Sequence, residues 1–287
     1  MKLKFKLLIE NNVLNSENYQ IIKSEYLNET LGTYLKLPEI KSKSFIFSCF
    51  ALSVDGKLCY PDMKTGYAIA AKNSSATQEE RYADYWNLLL GRSISDAVII
   101  GTNSLTNENN NFIANIDNEN LLKFRKQLGK PSELLHILVT RDIDNFNIYD
   151  EIIYKNPEIP LLIYSARKPL KSYDIPVLSI HDLNENKIKQ IIYDNDSFNF
   201  RILFDKLFAL DIKIMLNESP FLHHKLQEDK LLDEAWLNTS SVYIGGSINS
   251  LGMQNQSFSS RSHPHYTILT LHNIANNFLY TRYKINY

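Results

Sequence analysis

The sequence predicts an α/β protein with a mainly parallel mixed sheet and antiparallel strands at its C-terminal end. Three observations predict it. The short apolar runs AVIIG (97–101), LLHILVT (134–140) and PLLIYSA (160–166) have the composition of buried parallel strands. Segments of helical period alternate with them, and a strand-rich tail follows from Glu234 onward. No low-complexity linker or repeat divides the chain. The expectation is one domain over 44–287, preceded by an N-terminal extension of residues 1–43.

The elements follow in order. Residues 1–43 are polar and mixed, with a helix expected near Ser16–Leu35 and an extended segment at Lys36–Ile40. SFIFSCFALSV (44–54) is a strong strand closed by Asp55-Gly56, a turn pair. The polar AAKNSSATQEE supplies a helix N-cap pattern, Ser/Thr followed by Glu. The helix after it places Tyr82, Trp86, Leu89 and Leu90 at helical spacing. Beyond the strand ending at Gly101 lies a polar stretch, then a helix around Glu119–Leu128. IPVLSI (175–180) is a short strand. SFNFRILFDKLFALD (197–211) is a helix with Phe200, Leu203, Phe204 and Leu207 on one face, delivering the chain to strand IKIML. A helix PFLHHKLQEDKLL ends near Asp233, and EAWLNTSSVYIGG with the tail gives antiparallel strands.

Composition narrows the function. At 44% hydrophobic and 22% charged, 287 residues bury a sizeable core. Thirty-one basic against 32 acidic residues leave a net charge of −1, so no global field draws nucleic acid or a membrane surface. No run approaches the roughly 20 apolar residues of a membrane helix, and the first residues lack a signal peptide's apolar region. Cys49 and Cys59 form neither a disulfide framework nor a zinc motif, so a reduced, cytoplasmic protein without a metal is expected. His223-His224, His263 and His265 fit no metal or hydrolase signature, and no P-loop, GxSxG or GxGxxG is present.

What remains is an ordered series. It comprises ALSVDGK (51–57), LLLGRSISDAVIIGTNSL (88–105), MLNESPFLHHKL (215–226) and LLDEAWLNTSSVYIGG (231–246). Each alone is weak. Together they resemble the C-terminal reductase domain of RibD, the bacterial riboflavin biosynthesis enzyme, which has a three-layer αβα dihydrofolate reductase-like fold. The matching residues are Ser53, Asp55 and Gly56, then Gly91-Arg92-Ser93, and Ser95-Asp96-Ala97 through Gly101 to Ser104. Asn217-Glu218-Ser219-Pro220, Leu232-Asp233-Glu234 and Gly245-Gly246 complete the set, and the tail SHPHYTILTLHNIANNFLYTRYKI is also similar.

The resemblance implies an NADPH-dependent reductase acting on a phosphoribosylamino-pyrimidine or a related small molecule, pterin-like rings included. It also implies a homodimer, and no zinc deaminase module is present to perform the preceding step. The cofactor carries the hydride, leaving orientation and charge matching to the protein. By resemblance, Arg92 meets the substrate phosphate and Ser74 or Ser75 the substrate, with Asn217 and Glu218 on the same side. Leu52, Gly101, Ser104, Glu108, Ser219, Pro220, Phe221 and Leu222 line the cofactor. Asp55 and Lys57 flank the turn after the first strand and are the expected catalytic residues, Lys57 as a substrate contact. Thr140, at a strand's carboxyl end, also faces the cofactor.

One departure stands out. The family reads Glu-Gly-Gly-Pro where this chain reads Asn217-Glu218-Ser219-Pro220. Glycine there allows unusual dihedrals and close approach. Glu218 either repels a phosphate or turns sideways to serve as the family's acid. Two readings therefore stay open: a reductase, or a non-catalytic binding protein on the same fold.

Overall fold

The structure, a computed structural model, describes residues 3–107, 111–185, 187–247, 250–252 and 257–287. The chain opens with β1 (Lys6–Glu10), β2 (Tyr19–Ile22), α1 (Glu25–Leu31), β3 (Leu35–Pro38) and β4 (Phe45–Ser53). Next come α2 (Ala68–Lys72), α3 (Gln78–Ile94), β5 (Ala97–Gly101), α4 (Thr102–Asn107), α5 (Glu119–Gln127), β6 (Leu135–Thr140), α6 (Ile152–Lys155) and β7 (Leu161–Ser165). The remainder is β8 (Val177–Ser179), β9 (Lys189–Tyr193), α7 (Phe200–Ala209), β10 (Ile214–Asn217), α8 (Pro220–Glu228), β11 (Glu234–Ser240), β12 (His265–Asn273) and β13 (Phe278–Asn286). The expected three-layer α/β class is observed, and α3, α5, α7 and the strands β4 to β8 lie where the sequence pattern puts them.

The polar N-terminal region departs from expectation. The single helix expected over Ser16–Leu35 is a strand, β2, followed by the two-turn helix α1. Ser24 caps that helix through its side chain and Gly32 ends it at φ 74°, so local capping sets both limits. Two elements had no strong pattern: β9, with KQIIY between polar flanks, and α4, inside a run of Thr and Asn. The helix from Pro220 stops at Glu228, five residues before Asp233, and Lys230 takes φ 55° beyond it.

The chain separates into two compact units. The first holds Met1–Lys41, Phe47–Gly91 and His223–Tyr287. Within it β4 runs parallel to β11, and β11, β13, β12 and β1 continue antiparallel. Residues 1–43 thus supply an edge strand, β1, as well as the antiparallel pair β2–β3, joined through α1. Trp86, Phe47 and Trp236 are among its largest fully buried side chains.

The second unit holds Ser42–Ile46 and Arg92–Leu222. Its strands lie in the order β10-β5-β6-β7-β9-β8, every adjacent pair parallel. The residues of β6 and β7 are buried throughout, as expected where both faces are covered. The chain steps outward from β5 through β6 and β7, then returns to lay β10 on the opposite side of β5. Strand order therefore reverses between β5 and β10. Asp96 fixes that return: its Oδ2 accepts from the amides of Lys213 (2.9 Å) and Ile214 (2.8 Å), and its other oxygen pairs with Lys130.

Arg125 fixes the start of the unit. It is fully buried. Its guanidinium donates to the carbonyls of Arg92 (3.0 Å) and Ser95 (2.5 Å) at the end of α3, and to Pro131 O (2.5 Å). Orphan carbonyls of a helix end are thereby satisfied from a distant helix. Burial pulls the guanidinium down to about 10, still charged at neutral pH. Arg125→Ala strands these carbonyls and is expected to cost about 3–5 kcal/mol in urea denaturation. Arg125→Lys is expected to recover less than half of that, because an ammonium cannot span three separated acceptors.

Candidate functional site

In open parallel sheets ligands bind beyond the carboxyl ends of the strands, where strand order reverses. In the second unit that reversal falls between the ends of β5 and β10, at Gly101 and Asn217. Here the second and third motifs meet. A Cβ built on Gly101 would lie 3.2 Å from Ser219 Oγ, so a side chain at 101 would crowd the turn after β10.

That turn needs no glycine. Asn217 is fully buried; its Oδ1 accepts from the Ser219 amide (3.1 Å) and its Nδ2 donates to the Ser219 carbonyl (3.0 Å). The Glu218 amide donates to Ile99 O (2.9 Å), continuing the ladder. The described non-glycine residues with positive φ are Asp196, Asp211 and Lys230, so Glu218 and Ser219 are unstrained.

The Glu218 carboxylate points at Arg92. Arg92 Nε donates to Oε1 and Nη2 to Oε2, both at 2.7 Å, a bidentate pair. The side chains are only 6% and 10% exposed. Arg92 Nη1 also donates to Asn115 O (3.1 Å), and the guanidinium lies 5.9 Å from the Phe112 ring centroid. His136 holds the same 112–115 segment. Its Nε2 accepts from the Ala114 amide (3.0 Å), which requires the proton on Nδ1, donated to Leu134 O (3.0 Å). Burial holds this imidazole neutral, down at about 4.

The other expected residues of this unit are distributed along the strand ends. Ser104 is half-buried one turn into α4, and Glu108 lies outside the described residues. Thr140 ends β6 with Oγ1 donating to Asp142 O (3.3 Å). Pro220 opens α8, Phe221 is exposed and Leu222 buried. Sequence reading passed over three cations next to Thr140. Arg141 follows β6 directly, and Arg167 and Lys168 follow β7, whose Ser165 pairs in register with Thr140. All three are exposed. Their signal was positional: basic residues just past parallel strands, in VTRD and YSARK.

In the first unit the first and fourth motifs meet. The turn after β4 closes with the Ser53 amide donating to Lys57 O and the Gly56 amide to Ser53 O, both 2.9 Å, with Gly56 at φ 75°. Only glycine takes that left-handed position without cost. Asp55 accepts from Ser53 Oγ (2.6 Å) and from the amides of Gly245 (2.8 Å) and Ile244 (3.2 Å). The Ser53 hydroxyl, with those amides, draws the carboxyl down to about 2. Lys57 is buried and donates from Nζ to Ser250 Oγ (2.7 Å). Leu52 is buried in β4. Ser75 is exposed, its amide donating to Asn73 Oδ1 (3.1 Å) in the approach to α3. Among the described residues no cluster of His, Cys, Asp or Glu is placed to hold a metal, and no helix is long and apolar enough to cross a membrane.

No protein-family model matches the chain, and no curated protein matches it in sequence. Solved structures do match. A pyrimidine reductase-like protein from Corynebacterium diphtheriae superposes with a TM-score of 0.63 at 15% identity, over 86% of this chain and 93% of that one. RibD from Acinetobacter baumannii gives 0.58 at 16% identity, over 86% of this chain, which spans 59% of the RibD chain. A riboflavin biosynthesis reductase from Saccharomyces cerevisiae gives 0.54 at 10% identity, over 87% and 93%. At such identities the likeness is one of fold: the chain is folded as the pyrimidine reductase-like proteins are.

Two measurements check the electrostatics. Glu218→Ala leaves Arg92 buried without its carboxylate and is expected to cost about 3–5 kcal/mol in urea denaturation; a loss below about 1 kcal/mol would mean a solvent-screened pair. The second is pH dependence. Burial depresses His136 and His272 to about 4 and His223 to about 3. The unfolded imidazoles take up protons near their ordinary value of about 6.5, so unfolding binds protons below that pH. This contribution to stability is complete above about pH 6.5 and is lost as pH falls toward 4. Buried Asp84, raised to about 6, works the other way between pH 4 and 6, one carboxylate against three imidazoles. Denaturation midpoints are therefore expected to fall steadily from pH 7 to 4, and a flat profile would contradict the assignment.

Proposed function

We propose that the chain is a nicotinamide-dependent reductase, using NADPH to reduce a pyrimidine or a related small heterocycle. The observation that carries this reading is the reversal of strand order between Gly101 and the Asn217–Pro220 turn, the place where open parallel sheets bind ligands, in a fold shared with solved riboflavin biosynthesis reductases. A cytoplasmic homodimer belongs to the reading by resemblance.

The residues present fit the cofactor's chemistry. Arg141, Arg167 and Lys168 lie past the carboxyl ends of two neighbouring parallel strands; Arg167 is paired with Asp196 (3.0 Å) and lies near Asp142 (3.9 Å), so Arg141 and Lys168 are the cations proposed for the phosphate end of NADPH. Gly101, Ser104, Thr140 and the residues Ser219–Leu222 are the proposed contacts for the remainder. When bound, the cofactor supplies the hydride; this chain's residues bind, orient and match charge. Asp55, ionised above about pH 2, cannot donate a proton near neutrality and acts by positioning the 53–57 turn against Ile244 and Gly245. Lys57 stands on the same turn as the proposed substrate contact.

Isothermal titration is expected to show saturable NADPH binding. The double variant R141A/K168A is expected to weaken NADPH at least about tenfold while changing NADH little, because only NADPH carries the extra phosphate. No saturable binding of either nucleotide at millimolar concentration would end the reading. A second reading, a non-catalytic relative, is favoured by the Ser219 hydroxyl packed against Gly101, where the family has glycine. Rebuilding the turn with N217E, E218G and S219G separates the two. Turnover in the native chain supports the reductase; turnover appearing only in the rebuilt variant supports the non-catalytic relative.

A further inference from the structure

An arginine fork beside a ligand crevice is an ordinary receptor for phosphate, which it grips with two parallel N–H···O bonds. In this chain the fork beside the β5–β10 crevice already holds a carboxylate of its own. Glu218 fills the Nε and Nη2 positions at 2.7 Å each, and Asn115 O takes Nη1 at 3.1 Å. The carboxylate is not on a loose loop. Its amide is laddered to Ile99 O, and the next residue is clamped on both backbone groups by buried Asn217.

The pair is neutral as a unit. A phosphate arriving at Arg92 would have to expel Glu218 and then lie beside it, in a setting too buried for water or salt to screen the repulsion. Elsewhere in this unit, the exposed cations Arg141, Arg167 and Lys168 follow the ends of β6 and β7 rather than β5 or β10.

We propose that Glu218 is a specificity-determining residue: an internal anion that keeps the Arg92 fork closed to phosphate. The substrate taken at this crevice is then unphosphorylated on the part that reaches Arg92, a free heterocycle or nucleoside rather than a nucleotide. The word substrate rests on the reductase reading; the exclusion of phosphate does not, and it is measured without turnover.

The experiment titrates inorganic phosphate and ribose 5-phosphate into the native chain, E218Q and R92M/E218Q, with circular dichroism confirming that each is folded. E218Q releases the fork and is expected to bind both probes at least about tenfold more tightly than the native chain. The gain is expected to vanish in R92M/E218Q, which distinguishes the fork from the exposed strand-end cations. If E218Q does not fold, E218D replaces it; the carboxylate, shortened by a methylene, is expected to give a gain of about threefold. Equal affinity in the native chain and the folded variant overturns the proposal, and so does a gain that survives loss of Arg92. NADPH titrated into the same samples separates the two readings. Loss of NADPH binding with the phosphate pattern intact removes the reductase and leaves the closed fork standing.

Discussion

The pair between Arg92 and Glu218 joins stretches of chain that are far apart in sequence. Arg92 lies in the last turns of α3, Glu218 on the turn after β10, and Asn115 in the segment after α4. Arg125 caps the carbonyls of the same helix end, and Asp96 seats the first residues of β10. Charges buried this deeply are tolerated only when paired with good geometry. The end of α3, the start of β5 and the return of β10 are therefore set as one arrangement, and the crevice at Gly101 follows from it.

The four sequence motifs acquire a physical explanation as two spatial pairs. Asp55 of the first motif receives the amides of Ile244 and Gly245 in the fourth. Arg92, Asp96 and Gly101 of the second meet Glu218, the start of β10 and Ser219 around the third. Their order was legible because each member needs its partner at a fixed place in the sheet. The partner itself was not legible. Glu218 is separated from Arg92 by 126 positions, and periodicity carries no information over such a distance. The buried strands were readable for the opposite reason, since burial on both faces writes a continuous apolar run. Strand β2 and helix α1 were not, because half-exposed residues in a polar, Asn-rich region write no clear period and capping at Ser24 and Gly32 decides the boundary.

Asp55 shows how a motif acidic residue can be held for structure. Three donors converge on its carboxylate and keep it ionised. Such a group organises a turn and presents negative charge; it does not exchange protons near neutrality. Lys57, two residues on, gives its ammonium to Ser250 and sends its amide to Ser53 Oγ. The turn is thus closed on both sides before any ligand is considered, which is the preorganisation a binding site requires.

The Asn217–Pro220 turn is distinguished by its charge and not by strain. A Gly-Gly pair gives the backbone freedom to adopt positive φ, but Glu218 and Ser219 do not use it. Asn217 supplies with its side chain the closure that a special backbone conformation would otherwise give. Nor does Glu218 project into open space to meet a ligand's phosphate at the end of β10, because Arg92 has turned it aside. The turn is therefore unstrained and carries a fixed ion pair. A glutamate beside an arginine fork is what the proposed exclusion of phosphate requires, and the surrounding hydrogen bonds hold it in place.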